Sequence, residues 1–219
     1  KPIHACAGRG QEVIQSLDEF DAILGRPDAK ALFTEGVVLE QDLGDVVTHS
    51  VGQSFIGDAV LSYCGDQYLT ADGHGEQVYG GSNLLVVQGG YDDLLELQLP
   101  EDVRLAIQQA QVFDRAADEA YPGFYASRRN YDIAQGLDSN GKQRSGVLEQ
   151  SWRMGGASSA EVAALQSFVN DPAMRAIRVS SVETYTEQAL PADAIEVYRG
   201  PAENGDFLLK YVTVKSYDG

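Results

Sequence analysis

Residues 46–90 read as one extended run after another, VVTHSVGQSFIG, AVLSYCG, QYLTADGHG and EQVYGGSNLLVVQGG, each closed by a glycine-bearing turn. A parallel crossover needs a dozen or more residues between strands, and these turns are far shorter. The spacing therefore indicates an antiparallel sheet rather than βαβ units. Asp72-Gly73-His74-Gly75 has the composition of an exposed hairpin turn. Helical patterns lie on either side. Ser16-Leu17-Asp18-Glu19 is a capping box that opens a helix through Leu24, and Gly25, Arg26 and Pro27 end it. Residues 28–33 suit another helical turn, and Val37 to Leu43 reads as a buried strand leaving through polar residues. Val103, Ile107, Ala110, Phe113 and Ala117 recur at helical spacing, with Pro100 suited to the first turn and Pro122-Gly123 as the stop. That stripe is core, because an amphipathic stripe faces the domain interior. The tail beyond residue 173 holds two or three strands, including Ile195-Glu196-Val197-Tyr198 and the run from Phe207 to Val212, with no visible chemistry.

The stretch that carries chemistry runs over residues 127–161. Asn140-Gly141 signals a two-residue type I′ turn, because both central residues need φ > 0. Ser139 then pairs with Lys142, and the same register sets Asp132 opposite Glu149, Asn130 opposite Ser151 and Arg128 opposite Arg153. Two carboxylates directly opposed on one sheet face repel unless a cation sits between them. A hard divalent ion such as Mg²⁺, held by oxygens and shared with substrate phosphates, is the natural candidate. Ser158 and Glu161 form a second capping box, so a helix over 160–169 starts beside the glycine turn.

Two further stretches invite a ligand. In Lys1-Pro2-Ile3-His4-Ala5-Cys6-Ala7-Gly8-Arg9-Gly10, the glycines let backbone amides approach an anion, and Lys1 and Arg9 add positive charge. At the end of the 37–43 run, Glu40 and Leu43 stand three residues apart.

The run Val147-Leu148-Glu149-Gln150-Ser151-Trp152-Arg153, followed by Gly155-Gly156-Ala157-Ser158, resembles the Glu-x-Asn-x-Arg metal-binding strand and glycine turn of ATP-grasp enzymes such as biotin carboxylase and D-alanine-D-alanine ligase. Ser151 stands where that superfamily usually has Asn, and a hydroxyl is a poorer metal ligand than an amide carbonyl. Lys1 with the glycine loop, then Glu40 with Leu43, then the paired carboxylates appear in the order of the superfamily, and the wording of the hairpin resembles a bacterial branch whose substrate is not established. The resemblance implies an ATP-grasp α+β fold, mainly an antiparallel sheet with packed helices. It implies a partial, incomplete N-terminal lid over residues 1–38 and a large nucleotide- and metal-binding subdomain over 39–219. It also implies ATP and Mg²⁺ as cofactors: Lys1, Gly8, Arg9 and Gly10 at the phosphates, Glu40 and Leu43 at the adenine, Asp132, Glu149 and Ser151 at the metal. His49 and Gln53 become possible ribose neighbours. Arg153, with Arg128 or Arg129, would stabilise charge on the transferring phosphoryl group. The implied activity is an ATP-dependent ligase that activates a carboxylate as an acylphosphate for attack by an amine or thiol. The rival is a non-catalytic nucleotide-binding or sensor domain on the same fold, and a structural β-rich domain comes last.

Composition narrows the partners. The chain has 219 residues, enough for one large domain or two small ones, and 43% are hydrophobic, ample for a core. The 16 basic and 33 acidic residues give a net charge of −17. Nucleic acid and anionic membranes both need a basic footprint, so neither is expected as a partner; the expected partners are a small-molecule carboxylate and a nucleophile, and oligomeric state is silent. No apolar run approaches the roughly 18 residues of a membrane helix, and the start does not resemble a signal peptide. Cys6 and Cys64 need not pair, so a reducing cytoplasm is the expectation. A chain that begins Lys1-Pro2-Ile3 inside a strand-like run reads as a piece of a longer protein.

Overall fold

The computed structural model describes residues 12–27, 29–202 and 204–217, with the side chains of 31–33 outside that description. It is α+β, with helices and one large sheet, and it divides into two compact units. The first comprises Lys1–Asp45 with Leu137–Gln143; the second comprises Val46–Gly136 and Arg144–Gly219. The division falls between residues 45 and 46 and takes in the tip of the hairpin, a grouping that spacing along the chain does not suggest.

In the first unit, α1 (Leu17–Leu24) begins as expected, with the Ser16 hydroxyl accepting from the Glu19 amide at 3.2 Å. The Glu19 carboxylate accepts from the Gln15 amide at 2.8 Å, so two donors at the helix entrance are satisfied. Helix α2 (Ala29–Glu35) follows. The strand expected over 37–43 does not form. Only a bridge at Val37 is present, and Leu39 is 71% exposed, so this apolar run finds no ladder among the described residues.

The hairpin tip also differs from expectation. The Asp138 amide donates to the Lys142 carbonyl at 2.9 Å and the Gly141 amide to the Asp138 carbonyl at 2.8 Å, giving a three-residue loop. Gly141 has φ +73°, while Asn140 is not left-handed. The cause is Asp138, whose carboxylate accepts from the amides of both Asn140 and Lys142 (2.9 and 3.0 Å) and stabilises the longer loop. Asp138, not Ser139, therefore closes against Lys142, a shift of one residue from the expected register.

The sheet runs β5-β4-β1-β2-β3-β6-β8-β7 among the described residues. Its strands are β1 (Gly44–Ile56), β2 (Ala59–Ala71), β3 (Gln77–Gln88), β4 (Arg128–Leu137), β5 (Gln143–Ser151), β6 (Ala176–Thr184), β7 (Ile195–Pro201) and β8 (Phe207–Ser216). The first three form the antiparallel meander expected of their short turns. Pairing continues antiparallel from β3 to β6, β6 to β8 and β8 to β7.

Two-residue alternation gives the sheet of the second unit two faces. On one, Leu61, Leu84, Val86, Ile177, Val179 and Val212 pack against Ala160, Ala164 and Phe168 of α5 (Ser158–Asn170). On the other, Val51, Cys64, Leu85, Val87, Tyr131 and Ile133 pack against α3 (Tyr91–Leu95) and α4 (Glu101–Ala120). Ile107 and Ala110 of the expected stripe are fully buried and Ala117 nearly so, while Val103 and Phe113 pack at the margin.

Candidate polar site on the α5 face

Beyond its apolar half, the α5 face becomes polar. Ser50 and Ser54 of β1, Tyr63 and Gln67 of β2, and Arg128, Asn130 and Asp132 of β4 share hydrogen bonds there. Gly52 makes this possible. It pairs with Tyr63 across the β1–β2 ladder, and any β-carbon on it would collide with the Tyr63 ring and come within 2.6 Å of the Arg129 carbonyl oxygen. Its absence lets the fully buried Tyr63 reach β4. The Tyr63 hydroxyl donates to Asn130 Oδ1 at 2.9 Å and accepts from Arg128 Nη2 at 3.2 Å. Ser50 also donates to Asn130 Oδ1, at 2.9 Å, and Asn130 Nδ2 then donates to Asp132 at 3.2 Å.

One end of this chain is closed by an ion pair. Arg128 and Glu161 are 6% and 3% exposed, and Nε of Arg128 donates to both carboxylate oxygens of Glu161 at 2.8 and 3.1 Å. Ser54 adds a third bond to Glu161 at 2.7 Å. Arg128 Nη1 donates to the carbonyls of Ser151 and Arg153 (3.2 and 2.8 Å), fixing the strand exit that leads into the glycine turn. Glu161 is thus not the cap of α5. Ser158 lies inside the helix, its hydroxyl accepts from the Gly155 amide at 2.9 Å, and Ala157 occupies the N-cap position. Burial decided the outcome, because a buried guanidinium needs a buried carboxylate more than an exposed helix end needs a cap.

The other end is different in kind. Asp132, half-buried, accepts from Gln67 and Asn130 at 3.0 and 3.2 Å, both neutral amides. Burial first, and the negative charge of nearby Glu149 second, raise its carboxyl above the ordinary aspartate value. Glu149 is exposed and has no hydrogen-bond or ion-pair partner among the described residues. No group of three or more His, Cys, Asp or Glu side chains placed to hold a metal occurs among the described residues. An ion here would therefore rest on two carboxylates, with its remaining positions taken by water or phosphate oxygens, a shell that suits Mg²⁺.

With this geometry in view, the comparisons add one finding. The chain matches the family described as "Protein of unknown function (DUF3182)" over residues 1–212. The chain belongs to that family. No curated protein matches it. The family description carries no activity, so the polar site is the starting point for function.

The expected site residues disperse as follows. Lys1, Gly8, Arg9 and Gly10, with His4 and Cys6, lie outside the described residues. Glu40 and Leu43 belong to the first unit, where Glu40 is exposed and Leu43 half-buried. Asp132 and Glu149 are close enough for one charge to act on the other. Ser151 turns its hydroxyl toward Arg128 Nη1 at 3.5 Å. Arg153 is exposed, donates to the Met154 carbonyl at 2.9 Å and has no carboxylate partner among the described residues. Its guanidinium and that of Arg128 converge on Gly155, at 3.7 and 3.6 Å from where a side chain there would begin.

Arg129 is on the opposite face of β4. It bridges Asp114 and Asp118 of α4 at 3.1 and 2.8 Å and lies against the rings of Phe55 and Phe124. The hydrogen bond to Asp118, chiefly, holds its pKa up. His49 and Gln53 also face α4: Gln53 donates to Ser62 at 2.8 Å, and His49 Nε2 lies 3.8 Å from the Asp102 carboxylate.

Sequence reasoning missed Tyr63, Asn130, Gln67 and Ser54. The signal was Gly52 within a run of strand residues, since an interior glycine marks a close approach across the sheet.

Proposed function

We propose that this chain binds Mg·ATP at Asp132 and Glu149 and acts as an ATP-dependent ligase, activating a carboxylate as an acylphosphate for attack by an amine or similar nucleophile. One observation carries the reading: a half-buried carboxylate supported by neutral donors and raised in pKa beside a second carboxylate that has no partner among the described residues. A divalent cation relieves both, and when bound it neutralises charge on the transferring phosphoryl group. Arg153, with no carboxylate partner among the described residues and on the strand exit held by Arg128, is the cation available to the phosphates or the acceptor carboxylate. Arg129, tied to α4, serves packing in this reading.

The test is a calorimetric titration of a non-hydrolysable Mg·ATP analogue into the chain with and without EDTA, repeated with Glu149→Gln. Saturable binding that disappears with EDTA and in the variant supports the site; binding indifferent to both removes the metal assignment. A second reading, a nucleotide-binding module without turnover, draws on Ser151, a poorer metal ligand than Asn, whose hydroxyl faces the Arg128 guanidinium. Phosphate release from ATP in the presence of candidate carboxylates and amines separates the two.

A further inference from the structure

The opposite face of the sheet in the second unit carries an open cavity of about 450 Å³, within the range of small-molecule sites. Its floor is built from two transverse rows. One runs in register across five strands, His49 to Asp66 to Asn83 to Ser180 to Thr213, each the ladder partner of the next. The second, two residues along, ends in Arg178 of β6 opposite Lys215 of β8. Gln98, Leu99 and Pro100 on the approach to α4, Val103 in its first turn, and Tyr217 add to the lining.

The charges in this groove are sorted. Like charges directly opposed on neighbouring strands are unfavourable, yet Arg178 and Lys215 face each other, and neither has a carboxylate partner among the described residues. Arg178 lies against the Tyr217 ring, 5.2 Å from its guanidinium carbon. In a chain of net charge −17, two facing cations with no acid partner among the described residues suit an anion. Toward the β1 end the sign reverses. Among the described residues, Asp66 lines the cavity without an ion-pair partner, and Asp102 stands beside the buried His49 imidazole, whose Nε2 has no hydrogen-bond partner. Between the two poles, Ser180 donates to Asn83 Oδ1 at 2.8 Å, so the Asn83 Nδ2 donors remain for a carbonyl.

We propose that this groove binds an elongated zwitterion, a short peptide or peptide-like molecule, with its carboxylate at Arg178 and Lys215 and its ammonium at Asp66. Asp66 and Arg178 are two strands and two residues apart, a backbone separation of about 12 Å that side chains reaching inward shorten. An extended tripeptide spans about 10 Å. The site is independent of the nucleotide reading, because it occupies the other face of the sheet and its binding is measured without ATP or Mg²⁺.

The experiment titrates trialanine into the chain by calorimetry and by amide chemical shifts, alongside N-acetyl-trialanine, trialanine amide and inorganic phosphate. Trialanine is expected to bind saturably, and each capped form at least about tenfold more weakly. Arg178→Gln with Lys215→Gln, and separately Asp66→Asn, are expected to weaken trialanine by a similar factor while the melting temperature holds, since all three side chains are exposed. The proposal is overturned if trialanine shows no saturable binding up to about 10 mM, a concentration that reveals even weak millimolar affinity. It is equally overturned if the capped peptides or phosphate bind as well as trialanine, or if the variants bind it unchanged.

Discussion

Glu161 and Asp132 are two carboxylates in one hydrogen-bonded network, and their surroundings are opposite. Glu161 has a guanidinium whose Nε–H is shared between both its oxygens, and a hydroxyl, so its charge is answered from within the chain. Asp132 has two amides and the Ser50 hydroxyl, a like charge nearby, and no ion-pair partner among the described residues; Arg128 acts on it only through space. A buried charge that is fully compensated specifies structure, and one left under-compensated is held for something the chain does not supply. The contrast separates the part of the network that is closed from within from the part where the proposed ion would act.

The largest expected effect is at the compensated end. Glu161→Ala leaves Arg128 buried without its counter-charge, and should cost about 3–5 kcal/mol in denaturant unfolding. Arg128→Met combined with Glu161→Leu should cost less than Glu161→Ala alone, because no lone charge remains. If the double variant is the worse of the two, the pair matters through the bonds of Arg128 to Ser151, Arg153 and Tyr63 rather than through charge. Next in size is Gly52→Ala, which drives a methyl into the Tyr63 ring and should cost about 1–3 kcal/mol. Its amide exchange should quicken on β1 and β4 while α4 keeps its protection; uniform loss would mean that Tyr63 does not organise this face locally.

How much of this was legible in the residues differs by region for a physical reason. The β1–β3 meander and α4 follow from short turns and one helical stripe, which are local properties. The strand expected around Glu40 is reduced to a bridge at Val37, because apolar residues alone do not make a ladder, and Leu39 remains in water. Asn140-Gly141 misled because Asp138, two positions earlier, offers its carboxylate to two loop amides and selects the longer loop. Val147 and Trp152, five apart, pack on the same cluster, so two-residue alternation fails between them and cannot place Glu149. Ser158 and Glu161 spell a capping box, and only the arrival of Arg128 and Ser54 from distant strands reassigns Glu161. The facing of Arg178 and Lys215 depends on β8 entering the sheet between β6 and β7, an order no spacing along the tail reveals.

A smaller effect of opposite sign is expected at the under-compensated end. Asp132→Asn removes a charge that burial and Glu149 both disfavour, and its side chain can still accept from Gln67 and Asn130. It should stabilise the ligand-free chain by about 1 kcal/mol, a gain typical of relieving a site kept strained for function. The same variant should lose metal-dependent nucleotide binding. Stabilisation with binding intact would leave Asp132 an ordinary strained residue; loss of both would make it structural, like Glu161.

The smallest effect is the pH dependence of that gain, and it tests the cause. A carboxyl whose pKa is raised on folding binds its proton more tightly in the folded chain than in the unfolded one. Its contribution to stability is therefore full below the unfolded value of 3.8 and is lost as pH rises through the higher folded value. The amide introduced by Asp132→Asn has no such proton, so the advantage of the variant over the parent should be largest at neutral pH and shrink toward zero as pH falls to the aspartate range. Subtracting the two unfolding curves at each pH cancels the other titrating groups, apart from Glu149, which is coupled to Asp132. Glu149→Gln should reduce the slope of this difference without abolishing it, because burial is the larger cause and repulsion the lesser. A difference that stays flat from neutral to acid pH would mean that Asp132 is held at its ordinary value. The contrast with Glu161 would then rest on hydrogen bonding alone.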